Sequence, residues 1–179
     1  CEITLWGPQL RFEQDALIAI CGADLAPQVA GQEVSGWRPV AVRRGCVLQF
    51  GEPRRGCRAY LAVAGGFDVP VVMGSRSTYL RGGIGGFQGR ALTAGDVLGL
   101  HPAPDSARRR MRRWLDAAGS APTYSVAWAA AVGRPPANEQ ALVVRAMRGG
   151  QFGWFDTASQ ERFFSAEFEV TPESDRMGY

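Results

Sequence analysis

The sequence predicts a mainly β fold, either a β-barrel or a β-sandwich, and two observations carry that prediction. Glycine supplies 23 of the 179 residues, and the glycines separate short apolar runs instead of forming a repeat. From Ile3 to Leu100 the apolar runs recur every ~8 to 12 residues, a spacing typical of short strands joined by tight turns. With 46% hydrophobic residues, the chain has enough apolar surface for a core.

Individual strands are predicted from β-favouring residues that run into turn residues. The segment 16–21 is expected to be a strand that ends in a turn at 22–24, and the segment 58–64 is expected to be another. Between them, residues 30–33 are predicted to form a hairpin tip, because Gly31 can adopt a positive φ without steric cost.

The chain divides into three parts by composition. Residues 1–100 form the β-barrel segment, residues 101–140 are a connector rich in proline, alanine and arginine, and residues 141–179 begin a second β segment. In this last part, 141–147 is predicted to be a strand, and Asp156 is expected to cap a short helix near the C-terminal end. Both ends of the sequence indicate a fragment of a larger two-part domain.

Composition excludes several kinds of site. All 20 basic residues are arginine, so a phosphate-loop lysine, a Schiff-base lysine and a biotin-carrying lysine cannot lie in this segment. His101 is the single histidine and the four cysteines are scattered, so we expect neither a metal site nor a histidine-dependent triad. The cysteines are expected to be buried reduced thiols of a cytoplasmic protein. No apolar run is long enough to span a membrane.

Five arginines lie together at 108–110 and 112–113. Such a cluster can bind nucleic acid, but it accompanies no motif of a nucleic-acid-binding module. We therefore expect a solvated basic helix or the edge of a connector, and no nucleic-acid partner.

The run from Gly74 to Arg90 concentrates arginines, hydroxyl side chains and glycines. Glycine lets successive backbone N–H groups turn toward an anion, and arginine offers a planar fork for carboxylate or phosphate. An oxyanion or carboxylate site is one interpretation of the run. The alternative is that the glycines form barrel corners and that Arg76 and Arg81 are surface or strand-pairing residues.

Several longer stretches resemble a single protein family. They are 56–70 (GCRAYLAVAGGFDVP), 72–79 (VMGSRSTY), 85–90 (GGFQGR), Gly95-Asp96 and 174–179 (SDRMGY). Together they are similar to the carboxyltransferase-type family that includes the C subunit of bacterial 5-oxoprolinase, KipA-like proteins and the carboxyltransferase domain of urea amidolyase. The resemblance covers nearly the whole chain.

The resemblance implies a cyclophilin-like β-barrel and a role in an ATP-dependent 5-oxoprolinase, which opens 5-oxoproline to L-glutamate. It implies two partners: a B-type or KipI-like protein that is separate or fused, and a third protein of the lactam-utilisation type. Two alternatives stay open. One is the carboxyltransferase domain of a biotin-dependent urea carboxylase, with biotin held on another domain. The other is a KipA-like regulator that binds a kinase inhibitor without catalysis.

For an enzyme of this family, we predict a site built from the arginine and glycine run and a second turn. Asp175 and Arg176 are expected to approach Tyr79 as catalytic residues, because a carboxylate beside an arginine can orient it or move a proton. An ion pair that closes a barrel corner is the alternative for Asp175 and Arg176. The expected substrate-binding residues are Arg76, Ser77, Thr78, Arg81, Gly85 and Gly86.

Overall fold

The computed structural model describes residues 1–131, 146–169 and 171. The chain forms two compact units, Cys1–Val132 and Gly133–Tyr179. The described residues are mainly β with two short α-helices, which agrees with the predicted fold class. The predicted division into 1–100, 101–140 and 141–179 stays a prediction.

The first unit contains most of the described secondary structure. Its strands are β1 Glu2–Thr4, β2 Leu10–Arg11, β3 Ala16–Asp24, β4 Gln28–Val29, β5 Gln32–Glu33, β6 Pro39–Val42, β7 Val47–Gln49, β8 Arg55–Val63, β9 Thr78–Tyr79, β10 Ile84–Gly85 and β11 Thr123–Ser125. Helix α1 spans Asp105–Ala117.

Strand β3 lies at the centre of a five-stranded antiparallel sheet with the order β1-β8-β3-β6-β11. Side chains of a strand alternate between the two faces of its sheet. Ala16, Ile18 and Ile20 are buried in the main core, whereas Leu17 packs with a second apolar cluster that contains helix α1 residues. The central strand is therefore apolar on both faces.

A four-stranded sheet with the order β2-β7-β4-β5 covers the main core. Val29 of β4 lies opposite Leu48 of β7, and both are fully buried together with Ile18 of β3. The two sheets thus share one core. The hairpin of β4 and β5 turns at Gly31 as predicted, with a φ of 76°, but its tip is shorter than the predicted 30–33, because Gln32 and Glu33 pair with β4 as strand β5.

Helix α1 packs on the other face of the five-stranded sheet, within the segment that composition predicts to be a connector. Trp114 and Leu115 are buried against Ala41, and the Trp114 ring stacks on Tyr124 of β11 at 5.7 Å between centroids. The Arg43 guanidinium donates to the carbonyl of Leu115 at 2.7 Å. Part of residues 101–140 is thus ordered secondary structure packed on the sheet.

The clustered arginines lie on this helix, as the prediction of a solvated basic helix requires. Arg108, Arg109, Arg110, Arg112 and Arg113 are exposed, while Met111 packs toward the sheet. Arg108 pairs with Asp105, and the Arg110 guanidinium lies 5.9 Å from the Trp114 ring.

Two further details of the sequence prediction are wrong. Strand β3 does not end at residue 21, because a β-bulge between Gly22 and Asp24 lets it continue beside β8. The cysteines are free thiols, but Cys57 is exposed instead of buried, because the first residues of β8 face solvent; the other three are partly buried.

The second unit contains a 3₁₀ helix, Phe152–Trp154, and helix α2, Thr157–Ser165. The predicted cap is confirmed, because the Asp156 carboxylate accepts a hydrogen bond from the Ser159 amide at 2.6 Å. This bond also lowers the pKa of Asp156. The strand predicted at 141–147 falls largely outside the described residues.

No helix within the described ranges is long and apolar enough to cross a membrane.

The shared core predicts a large stability effect at Leu48. Replacing Leu48 by alanine removes buried methyl groups between two sheets and should lower the free energy of unfolding by about 2–5 kcal/mol. Urea denaturation followed by circular dichroism measures the change. Leu80→Ala is the matched control, because Leu80 is 61% exposed, and its effect should be within about 0.5 kcal/mol. Equal effects at the two positions would contradict the described core.

Candidate functional site

The arginine and glycine run forms two consecutive turns between β8 and α1. In the first, Val72 and Ser75 exchange backbone hydrogen bonds of 2.8 and 3.0 Å around Met73 and Gly74. Met73 has a φ of 50° and is 93% exposed. A non-glycine residue in this backbone region is uncommon, and such outliers cluster at functional sites.

The second turn is a β-hairpin made of β9 and β10. Tyr79 lies opposite Ile84 and Thr78 lies opposite Gly85, with residues 80–83 at the tip. The Tyr79 ring lies close over the tip, since a Cβ on Gly82 would be 2.6 Å from ring atom Cδ1. Tyr79 is nevertheless 41% exposed.

The structure brings the predicted substrate-binding residues together on these turns. Thr78 is on β9, Gly85 is on β10 and Gly86 follows directly, while Arg81 is at the exposed hairpin tip. Arg76 and Ser77 are exposed just before β9. The Arg76 Nε donates to the carbonyl of Val69 at 3.3 Å, and the Ser77 amide donates to the Ser75 hydroxyl at 3.1 Å.

The close contact between Gly86 and Thr78 requires a glycine at position 86. It has a φ of 52° and is buried, and a Cβ there would collide with the Thr78 hydroxyl oxygen. Because Gly86 has no side chain, Thr78 can lie against the backbone that follows β10. Glycine at this position has a structural reason, as one of the two interpretations of the run proposed.

An ion pair follows the hairpin and was not among the predicted site residues. The two terminal nitrogens of Arg90 each donate to one carboxylate oxygen of Asp96 at 2.7 Å. Asp96 also accepts from the Thr93 amide at 2.7 Å. The Arg90 guanidinium and these hydrogen bonds hold the pKa of Asp96 far below its usual range, and Asp96 raises the pKa of Arg90.

The single histidine lies beside a carboxylate. The His101 Nε2 is 3.6 Å from Asp68 Oδ1. Backbone hydrogen bonds to two glycines hold both residues: the Asp68 amide donates to the Gly99 carbonyl at 2.8 Å, and the His101 amide donates to the Gly66 carbonyl at 3.0 Å. No group of three metal-ligating side chains occurs among the residues that the structure describes.

The predicted catalytic residues Asp175 and Arg176 lie outside the described residues. Their expected approach to Tyr79 stays a prediction. The first half of the predicted site, on the two turns between 72 and 86, lies within the described residues, and its role in binding substrate also stays a prediction.

These turns suit an anionic group. Arg76 and Arg81 are exposed on consecutive turns, and Ser77, Thr78 and Tyr79 add hydroxyl groups that can donate hydrogen bonds. Apolar side chains surround them, because Val71, Met73, Leu80 and Ile84 are exposed. The described residues thus form a mainly β domain with an exposed hairpin. Glycines allow the close backbone packing of this hairpin, and Arg81 is at its tip.

The chain belongs to the family described as carboxyltransferase domain, subdomain A and B, whose family model matches residues 1–179. This confirms the resemblance seen in the sequence. The 5-oxoprolinase C subunit of Escherichia coli is 37% identical over 179 residues, 99% of this chain and 50% of that protein. Urea amidolyase of Lachancea kluyveri is 36% identical over 186 residues, 99% of this chain and 9% of that protein.

A solved structure gives the same relationship over part of the chain. The crystal structure of the urea amidolyase of Kluyveromyces lactis superposes with a TM-score of 0.55 and 42% identity, over 58% of this chain and 7% of that one. The chain thus spans half or less of these relatives and is similar to a part of each.

The contact between Gly86 and Thr78 predicts that alanine at Gly86 is destabilising. Gly86→Ala adds both a collision and a strained φ, whereas Gly83→Ala, with a φ of 62° and open space around it, adds the strained φ alone. The free energy of unfolding should fall by about 1–3 kcal/mol more in Gly86→Ala than in Gly83→Ala. Chemical denaturation of both variants makes the comparison. Indistinguishable variants would mean that the hairpin does not close on Thr78.

The Asp96 carboxylate predicts a pH-dependent contribution to stability. Because its folded pKa is depressed, its contribution is present above its unfolded pKa of about 3.9 and is lost as the pH falls toward the folded value. The difference in unfolding free energy between wild type and Asp96→Asn should therefore be constant above about pH 5 and shrink below about pH 4. Urea titrations from pH 7 to pH 3 measure it. A difference that does not change with pH would contradict the ion pair.

Proposed function

We propose that the chain is part of one component of an ATP-dependent 5-oxoprolinase, which opens 5-oxoproline to L-glutamate together with partner subunits. The observation that carries the proposal is the similarity to the 5-oxoprolinase C subunit of Escherichia coli over 99% of this chain. A second such protein, from Haemophilus influenzae, is 32% identical over 178 residues. The chain spans half of each of these proteins, so the complete activity needs more than this segment.

The chemistry of the substrate fits the two turns. 5-Oxoproline carries a carboxylate and a lactam carbonyl, and exposed Arg76 and Arg81 can each form a bidentate pair with a carboxylate or an ATP-derived phosphate. When water adds to the lactam carbon, charge develops on the carbonyl oxygen. The hydroxyls of Ser77, Thr78 or Tyr79 can donate to that oxygen.

Of the proposed catalytic residues Asp175, Arg176 and Tyr79, Asp175 is the one that moves a proton and Arg176 the one that orients it. Ring opening breaks the C–N bond of the lactam; the oxygen of the added water enters the new carboxylate, and its protons move to the leaving amine. A carboxylate oriented by a neighbouring arginine can move such a proton. Asp175 and Arg176 are the residues that we propose for this carboxylate and arginine.

The family fold and its partners belong to the same proposal. We infer a cyclophilin-like β-barrel, which the core shared by the two sheets supports. A B-type or KipI-like protein and a lactam-utilisation-type protein are the proposed partners. The exposed apolar side chains around the hairpin support a role of this surface in contacting another polypeptide. Four free thiols and the use of ATP are consistent with a cytoplasmic location.

A carboxyltransferase role in a biotin-dependent urea carboxylase is the second candidate. The similarity to urea amidolyase of Lachancea kluyveri supports this role. Its identity, 36% over 99% of this chain, is nearly the same as that of the 5-oxoprolinase C subunit of Escherichia coli. Biotin would then be carried by another domain, since the chain has no lysine to hold it. The same arginines would meet a carboxyl group in transfer instead of an amino-acid carboxylate.

The direct test is ATP-dependent release of glutamate from 5-oxoproline by the full-length protein mixed with its two proposed partners. Arg76→Ala should lower kcat/KM by about ten- to a hundredfold, because a charge-assisted hydrogen bond to the substrate is lost. Arg109→Ala is the matched control, since Arg109 is an exposed arginine on α1 and should leave kcat/KM unchanged. Arg76→Ala with wild-type kinetics would remove Arg76 from the site.

The other outcomes separate the candidate functions. Absence of glutamate release by the folded wild-type assembly contradicts the 5-oxoprolinase role. Urea-dependent consumption of carboxybiotin by the same full-length protein with a biotin carrier would then support carboxyl transfer. Binding of a KipI-like partner without either reaction would support the regulatory alternative.

A further inference from the structure

Arg76 and Arg90 of the run 74–90 differ in what their side chains contact. Arg76 is exposed and donates to the carbonyl of Val69 at 3.3 Å, whereas Arg90 is partly buried and is surrounded by acceptors. Besides Asp96, the Arg90 guanidinium donates to the carbonyl of Ala91 at 2.9 Å and to the Gln88 side-chain oxygen at 3.1 Å. It also lies 5.3 Å from the Phe87 ring centroid. Arg90 is therefore committed to local contacts and is a poor candidate for a ligand-binding arginine.

The acceptor of Arg90 is itself fixed by a tight turn. The Asp96 amide donates back to the Thr93 carbonyl at 3.2 Å, and the Thr93 amide and hydroxyl both donate to the Asp96 carboxylate, at 2.7 and 3.3 Å. The Asp96 side chain is only 14% exposed. We call Arg90, Thr93 and Asp96 the arginine clamp. Its parallel hydrogen bonds fix the direction of the guanidinium as well as its distance.

The arginine clamp is connected to the hairpin through the backbone between them. The Gly89 amide donates to the Gly85 carbonyl at 2.9 Å, so the residue before Arg90 is bonded to the last residue of β10. Gly89 also packs so closely against the Gly83 carbonyl that a Cβ would collide with it. Because Gly89 directly precedes Arg90 in the chain, fixing Arg90 also restrains the contacts of Gly89 with the hairpin tip and with β10.

Strand β10 and the residue after it in turn contact Thr78, one of the residues proposed to contact substrate. Gly85 pairs with Thr78, and Gly86 lies against the Thr78 hydroxyl. A continuous path of contacts therefore runs from Asp96 through Arg90 and Gly89 to Thr78. A hydroxyl that donates to a developing oxyanion must be held within a small fraction of an ångström to be effective.

We propose that Arg90 and Asp96 are positioning residues, which hold the hairpin of β9 and β10 and thereby fix the position of the Thr78 hydroxyl relative to the substrate. This inference rests on the proposed function for its catalytic consequence. Its structural part is that the arginine clamp restrains the backbone of 83–90, and that part does not depend on which reaction occurs.

The first experiment measures amide hydrogen exchange in the full-length protein. Arg90→Gln should speed exchange of the amides in 83–90 by about tenfold. Arg54→Gln is the matched control, because Arg54, just before β8, forms a similar pair of hydrogen bonds with Glu33 of β5, at 2.9 and 3.2 Å. It should leave exchange in 83–90 unchanged. Unchanged exchange in Arg90→Gln overturns the proposal.

The second experiment measures kinetics of the full assembly. Arg90→Lys and Asp96→Asn should lower kcat by about ten- to a hundredfold with little change in KM, because only a transition-state contact is misplaced. Arg90→Lys keeps the charge without the planar fork, so a role as a surface charge predicts wild-type kcat. Wild-type kcat in both variants overturns the proposal, even where exchange in 83–90 is faster.

The two experiments separate the two ideas. If the wild-type assembly shows no turnover, the proposed function fails, and the exchange measurement still decides whether the arginine clamp restrains the hairpin. If Arg90→Gln does not fold, exchange in Arg90→Lys replaces it, with Arg54→Lys as its control.

Discussion

The burial of strand β3 on both faces is the constraint on which the rest of the first unit depends. Ile18 and Ile20 face a core that two sheets share, whereas Leu17 faces the cluster beneath helix α1. A central strand that is apolar on both sides needs a cover on each, and the small sheet and the helix supply them. Burying this much apolar surface gives the short strands and tight turns a fixed frame.

The candidate site lies outside that core, in a segment with little regular structure. Residues 64–104 contain only two-residue strands, so the hairpin depends on local contacts instead of apolar burial. Close packing at Gly86 and the paired charges of Arg90 and Asp96 provide such contacts. This arrangement leaves arginine and hydroxyl side chains exposed on a fixed backbone, which is how many proteins recognise small anions.

Local patterns in the sequence predicted the local parts of the structure. The hairpin tip at Gly31, the cap at Asp156 and the exposed arginine helix follow from turn, capping and charge rules that need no distant residue. The pairing of β11 with β6 could not be predicted this way, because Tyr124 and Ala41 are far apart in the sequence and the intervening composition is that of a connector. The bulge at Gly22 was missed for a related reason, since glycine signals a turn and a bulge equally well.

The same limit applied to the site. The run of arginines and glycines was visible in the sequence, and the family resemblance was confirmed. What the residue types could not reveal is that Arg90 differs from Arg76 in its contacts. That difference arises from where the turn between Thr93 and Asp96 places a carboxylate, and it is a property of the folded chain.

We propose that the turns at 72–86 bind the substrate of a 5-oxoprolinase assembly. A crystal structure of the full-length protein with its partners and bound 5-oxoproline tests this claim most directly. We predict that the substrate carboxylate lies within hydrogen-bond distance of Arg76 or Arg81, with the lactam oxygen near a hydroxyl of residues 77–79. Substrate bound elsewhere, with no contact to residues 72–90, would contradict it.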